Sequence, residues 1–320
     1  MSGGDVIAGQ QAALHDLYRQ HVGPGDHYAL LDFPDHANVG DSAIWLGEIA
    51  LLRGITGRDP DYVCTWDGAD GSRFEGDTFR QACPEGVVFL HGGGNLGDIW
   101  PHHQRFREAV VGELRDRRIV QLPQSIHFRV PAGAARFAEL IAAHPDFHLC
   151  VRDQPSFDFT QRRFDCPVTL APDSAFALGR RQRGAPDCDV LMLMRTDDER
   201  IVHDGPFSGG GEGIVRLDWL EDDTLPVADP TLPRSAQYEQ LAAARVERGL
   251  AMLSRGRRIV TDRLHGHILA LLLDIPHVAL DNDYGKISGY IDTWTSGSSR
   301  VRVARTMAEA AAYLASGTGR

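Results

Sequence analysis

Short apolar runs recur along the chain, each followed by a polar or glycine-rich turn and then by a stretch with helical spacing. This alternation constrains the fold more than any other feature. Runs such as GVVFL (86–90) and RIVQL (118–122) suit strands buried on both faces rather than helices. Strands are expected at 28–33, 61–65, 86–90, 118–122, 147–151 and 168–170. Helices are expected at 6–22, 42–52 with Asp41 as N-cap, 102–117, 134–143 and 154–163. The segment GRRQRGAPD (179–187) is charged, contains Gly and Pro, and breaks the pattern. The alternation then restarts, with strands at 190–194, 214–217, 258–260 and 277–280 and helices at 236–255, 264–273 and 306–315. A glycine-rich loop (207–213) and an acidic loop (221–233) lie between. The expectation is an α/β protein of two Rossmann-like doubly wound domains, residues 1–180 and 187–320, with a cleft between them.

A chain of 320 residues is long for one core and suits two domains. The net charge of -11 argues against a general nucleic-acid binder, yet a few arginines in a cleft can reverse the local field. The five cysteines form no CxxC pair, so reduced, mostly buried thiols are expected and no metal site. The first residues carry no signal-peptide pattern, and the longest apolar run (268–273) is too short to span a bilayer. A cytoplasmic protein with at most peripheral membrane association is expected.

In open α/β sheets, ligands bind beyond the carboxyl ends of the strands. Six motifs fall there. His36-Ala37-Asn38-Val39-Gly40-Asp41 follows the first strand, and reads equally as a plain turn. His91-Gly92-Gly93-Gly94-Asn95-Leu96-Gly97-Asp98 has four glycines in the six positions from Gly92. Such a loop lets backbone amides approach a ligand, with His91 and Asn95 facing a sugar. Gln124 and Ser125 end the next strand and suit hydroxyls, although a solvated loop is as good a reading. Arg195 ends the first strand of the second half, where its fork matches a carboxylate or phosphate; the alternative is pairing with Asp197 or Asp198. Asp262-Arg263-Leu264-His265-Gly266 joins a strand to a helix whose N-terminus favours anions, with His265 able to act as a general acid. Leu264 reads as core. Asp283-Tyr284-Gly285-Lys286 adds a cation near a strand end.

Together these motifs resemble the polysaccharide pyruvyl transferase family. The matching pieces are NVGD (38–41), GGGNLGD (92–98), LMR (193–195), DRLHG (262–266) and YGK (284–286). The resemblance implies a fold like that of the GT-B glycosyltransferases, phosphoenolpyruvate as donor, and a hexose of a polysaccharide or lipid-linked oligosaccharide as acceptor. The product would be a pyruvate ketal bridging two hydroxyls, with no cofactor and no metal required. The family's Arg-Leu-His element falls on Arg263, Leu264 and His265, and its cleft arginine on Arg195.

On this reading Arg195, Arg263 and Lys286 hold the donor, and His265 protonates its C3. Asp41, Asp98 and His91 are candidate bases for the acceptor hydroxyls. Tyr284, Asp262, Asn38, Gly40 and the glycine loop line the substrates. A nucleotide-sugar glycosyltransferase or epimerase is the rival enzyme and would need a ribose-binding carboxylate such as Glu199 or Asp218. A non-catalytic sugar- or phosphate-binding protein is the rival of a different class.

Overall fold

The computed structural model describes residues 3–66, 71, 73–197, 213–221, 226–281 and 285–315. The expected loop at 207–213 lies outside them except for Gly213, and the acidic loop is described only at 221 and 226–233. Two parallel sheets divide the chain. The first half runs α1 (Gly3–Arg19), β1 (Tyr28–Leu31), α2 (Val39–Thr56), β2 (Tyr62–Cys64), α3 (Gly76–Ala82), β3 (Val87–Leu90) and β4 (Gly93–Gly97). It continues through α4 (Pro101–Glu113), β5 (Ile119–His127), α5 (Pro131–Ala142), β6 (Phe147–Val151), α6 (Gln154–Arg163) and β7 (Val168–Leu170), and closes on a 3-10 turn at Ser174–Leu178. The second half comprises β8 (Cys188–Leu193), β9 (Ile214–Leu217), α7 (Arg234–Ser254), β10 (Gly256–Thr261), α8 (Leu264–Leu272), β11 (His277–Leu280), α9 (Lys286–Tyr290), β12 (Val301–Ala304) and α10 (Met307–Ala315).

The first sheet is ordered β2-β1-β3-β5-β6-β7, with β4 paired beside β5; the second is β12-β11-β10-β8-β9. Every recorded pairing is parallel. Both faces of each sheet are covered, which is why the strands read as continuous apolar runs. In β3, Val88 and Leu90 face one core cluster and Phe89 the other; in β8, Val190 and Met192 oppose Leu191 and Leu193. Each sheet reverses its winding direction once, between β1 and β3 and between β8 and β10. Those two points are where ligands bind in such sheets.

The halves share one apolar core. A single cluster joins Leu14, Phe33, Val39 and Trp45 of the first half to Tyr238, Val246, Leu250 and Leu269 of the second. Phe33 stacks on Tyr238 with ring centroids 4.0 Å apart, and Trp45 meets Phe33 edge-on. Gly249 of α7 gives Val39 room to approach, and Gly47 of α2 abuts the Ser174 carbonyl; a methyl at either position would overlap its neighbour. From α7, buried Arg245 donates to Pro34 O and to Asp35 Oδ1 (2.9 Å each), and Arg248 donates to Ala37 O. The loop between β1 and α2 is thus held by the other half of the molecule.

Two expectations change. Helix α2 starts at Val39, and its cap is Asn38, whose Oδ1 accepts from Gly40 N at 3.1 Å. Asp41 lies in the first turn, because the helix begins three residues earlier in the loop, where the Asn38 side chain takes the free Gly40 amide. The glycine-rich stretch is mostly strand: Gly93, Leu96 and Gly97 pair with Gln124, Ile126 and His127 of β5. Gly92 and Gly97 answer to backbone crowding. Gly97 has φ 142°, and a Cβ there would overlap His127 O. No described helix is long and apolar enough to cross a membrane.

Gly47→Ala should force α2 away from the Ser174 carbonyl. A loss of about 1–3 kcal/mol in urea-unfolding stability is expected, as for other overpacked contacts; an unchanged midpoint would refute the close approach.

Candidate active site

A cavity of about 390 Å³ opens where the two reversal points face each other. The first half contributes Asp35, His36, Asn38, Asp41, Trp66, Gly94, Asn95, Trp100, His102, His103 and Arg152. The second contributes Arg195, Asp197, Trp219, Leu220, Asp262, Arg263, Leu264, His265 and Ile287. The strand ends place them: β1 and α2 deliver 35–41, β8 delivers Arg195 and Asp197, and β10 runs into Asp262–His265 at the start of α8.

His265 is almost fully buried and spans the halves. Its Nε2 lies 3.3 Å from Asp173 Oδ2, which also receives Arg152 Nη1 at 2.5 Å. Burial alone would raise the Asp173 carboxyl, but His265 and Arg152 overcome it and hold the group well below the aspartate range. Asp173 Oδ1 accepts from Ala175 N, and Arg152 Nε donates to Ser125 Oγ, which donates to Asp153 Oδ2. A continuous polar chain therefore backs the imidazole. On its other side lies Gly40, where a Cβ would overlap the His265 ring. Next to Gly40, Asp41 receives Asn38 Nδ2 at 2.8 Å. Burial opposes ionisation of Asp41, but the neighbouring imidazoles of His36 and His265 keep its carboxyl below the usual range.

Arg263 is buried and preorganised. It forks onto Asp218 (Nε to Oδ1 2.8 Å, Nη2 to Oδ2 2.5 Å) and reaches Asp197 at 3.2 Å, with its guanidinium over Trp219. Asp197 also holds Arg195 through two hydrogen bonds. Asp262 Oδ1 accepts from Arg195 N at 2.8 Å, tying the two strand ends together. Asp218 is thus engaged with a guanidinium, which leaves it a poor ribose partner. Glu199 lies outside the described residues.

Other predicted residues lie behind the cavity wall. His91 is buried, with Nδ1 2.6 Å from Glu48 Oε2, and Gly92 N donates to Glu48 Oε1. The Glu48 carboxyl is pushed up by burial, and the adjacent carboxylate raises the His91 imidazole against its own burial. Gln124 is spent on His91 O and on Asn95, and Ser125 belongs to the chain behind His265. Asp98 accepts from the backbone amides of Arg129 and Val130 and is absent from the wall. Gly92 and Gly93 also sit behind it, whereas Gly94 and Asn95 line it. The Asn95 oxygen takes Arg107 and Gln124, which fixes the amide. His91, Gln124 and Ser125 are drawn inward because each satisfies a buried polar partner. Tyr284 and the Lys286 side chain lie outside the described residues.

Sequence reasoning missed Asp173, Arg152, the Asp32–His103 pair and the aromatic wall. Both Asp32 oxygens lie 2.9 Å from His103 Nδ1, and Asp32 takes a left-handed φ of 73°. Trp66 stacks on His102 with centroids 4.9 Å apart. Arg152 and Asp173 did carry a signal, since each follows the carboxyl end of a strand as Arg195 and Asp262 do.

The polysaccharide pyruvyl transferase family model matches residues 38–284. Pyruvyl transferase 1 of Schizosaccharomyces pombe is 32% identical over 315 residues, covering 91% of this chain and 75% of that protein. The putative pyruvyl transferase EpsO of Bacillus subtilis is 30% identical over 293 residues, covering 85% of this chain and 86% of that one. A crystal structure of an uncharacterized protein, KP1_0663, from Klebsiella pneumoniae shares the fold, with a TM-score of 0.60 at 18% identity over 93% of this chain and 99% of the other. With a match over most of its length, the chain belongs to the polysaccharide pyruvyl transferase family and is a pyruvyl transferase.

Proposed function

We propose that the protein transfers the pyruvyl group of phosphoenolpyruvate to two hydroxyls of a hexose, forming a ketal on a polysaccharide or lipid-linked oligosaccharide at the cytoplasmic face of the membrane. One observation carries this reading: His265 and Asp41, from different halves, flank Gly40 on the wall of a cavity that also holds Arg152, Arg195 and Arg263. The arrangement supports a GT-B-like division of labour between two Rossmann-like domains, residues 1–180 and 187–320. The second supplies most of the donor site, and the first supplies the acceptor site.

The donor brings a carboxylate and a phosphate, and the arginines together with the N-terminus of α8 supply the matching positive potential. Fixed in advance by Asp197 and Asp218, they need little reorganisation when charge shifts to the leaving phosphate. His265, oriented by Asp173, gives a proton to C3, and C2 becomes electrophilic. One acceptor hydroxyl adds its oxygen to C2 and passes its proton to Asp41. The C2–O bond to phosphate then breaks, phosphate leaves with the bonding pair and takes the proton held by Asp41, and the second hydroxyl closes the ketal by giving its proton back to the His265 imidazole. Arginines neutralise the anion, so these steps need no metal. Trp66, Trp100 and His102 form an aromatic wall suited to the apolar face of a sugar ring, with Asn95 and Asp35 available to its hydroxyls.

Phosphate release from phosphoenolpyruvate with a panel of lipid-linked and synthetic glycosides is the direct test; no release with any of them would end the proposal. His265→Ala should lower kcat by about 10²–10⁴. Gly40→Ala should displace the imidazole and cost about 10² in kcat with little change in the KM for phosphoenolpyruvate. Trp100→Ala should raise the acceptor KM selectively.

Asp173 yields a prediction in pH. Its native carboxyl is depressed, so its stabilising contribution is complete above about pH 4 and is lost as the pH falls through its native-state value. Asp173→Asn should cost about 3–5 kcal/mol at neutral pH, because it leaves Arg152 buried and unpaired. Urea unfolding should show that deficit shrinking below about pH 4; a deficit independent of pH would contradict it.

A further inference from the structure

On β6, His148 and Cys150 stand two residues apart and so share one face of the strand. That face meets the turn leaving α1, where Leu17 and Tyr18 are buried and His21 follows. A ring nitrogen of His21, a ring nitrogen of His148 and the Cys150 thiol all lie within 4.8 Å of one another. The two imidazoles meet at an edge-on angle of 70° with centroids 4.6 Å apart. Two features make this more than a chance cluster. His21 Nε2 is buried and has no hydrogen-bond partner among the described residues. His148 Nε2 lies 2.8 Å from Thr169 Oγ1 on β7, and when it donates there, the lone pair is left on Nδ1. A hydrogen bond that fixes one ring nitrogen so that the other can ligate is the usual outer shell of a metal-bound histidine, and here the Thr169 hydroxyl takes the place of the customary carboxylate, carbonyl or water.

We infer that His21, His148 and Cys150 form a binding site for one zinc-class divalent ion, remote from the catalytic cavity. Tetrahedral zinc with ligands at about 2.0–2.3 Å sets ligand atoms about 3.3–3.8 Å apart. Closing the cluster from its present span therefore takes small side-chain adjustments. Burial holds both imidazoles in the neutral, ligating form, with His21 pushed down to about 4. It also pushes the Cys150 thiol up, so the ion must displace the sulfur proton to solvent, and affinity rises with pH. Cys150 is fully buried and His148 half-buried, which leaves a solvent-facing side for water as fourth ligand. The ion would pin the end of α1 to the sheet. Tyr18, three residues before His21, meets Ser174 Oγ at 2.8 Å, directly beside Asp173. The metal thus braces the turn that presents the partner of His265. The inference does not depend on which sugar or donor the enzyme uses.

The test uses the full-length chain, stripped with a chelator and titrated with zinc. Expected are one ion per chain, a raised thermal midpoint, and an X-ray absorption shell containing one sulfur and two imidazoles. Cobalt should give an intense tetrahedral spectrum with a thiolate charge-transfer band, lost in Cys150→Ser and weakened at least tenfold in affinity by His21→Ala. No stoichiometric binding, a shell without sulfur, or a spectrum unaltered in Cys150→Ser would overturn the site. The absorption measurement on the unmodified protein decides the matter even where a variant fails to fold.

Discussion

The placement of α2 is the constraint on which the rest of the structure depends. Three glycine contacts define it: Gly47 under the Ser174 carbonyl, Gly249 of α7 against Val39, and Gly40 against the ring of His265. In each, a missing Cβ lets backbone or side chain approach closer than any other residue would allow. Asp173 and Ser174 lie on one side of the helix, α7 on another, and α8 at its N-terminus. A single rigid rod thereby fixes the distance between the two reversal points. The shared apolar core removes the freedom that a polar interface between domains would leave.

The electrostatics follow a second rule. The chain is acidic overall, yet three of its buried arginines are met by carboxylates: Arg152 by Asp173, Arg263 by Asp218 and Asp197, Arg245 by Asp35 and a carbonyl. Such pairs contribute little net stability, because desolvation offsets attraction. Their value lies in orientation. A guanidinium already locked in place offers a fixed field to an incoming anion.

Much of this architecture was legible in the residues. Strands at 214–217 and 277–280 and the helix at 154–163 match their sequence-derived bounds, because turn signals flank clean periodicity there. Strand β5 ran five residues past its expected end, through Pro123, since β4 pairs alongside and the run does not depend on apolar pattern alone. Strand β4 and helix α3 escaped notice because glycine and polar residues dominate them, and β12 because VRVA is a four-residue run interrupted by an arginine. Within the site, DRLHG and NVGD were readable as strand-to-helix junctions, and both reach the cavity. The inward turn of His91, Gln124 and Ser125 was not readable. Polar residues at strand ends look alike in sequence whether they serve a ligand or a buried neighbour, and only the tertiary partner Glu48, Asn95 or Arg152 decides. Asp173 and Arg152 were overlooked for the converse reason: their place after a strand is their whole signal, with no glycine-bearing motif around it.

Both sheets follow the same winding plan, second strand, first, third and onward, apart from the inserted β4. The molecule thus presents two equivalent rims face to face, seamed together where α7 of one half holds the loop between β1 and α2 of the other. A change in one rim is therefore felt by the other through that seam.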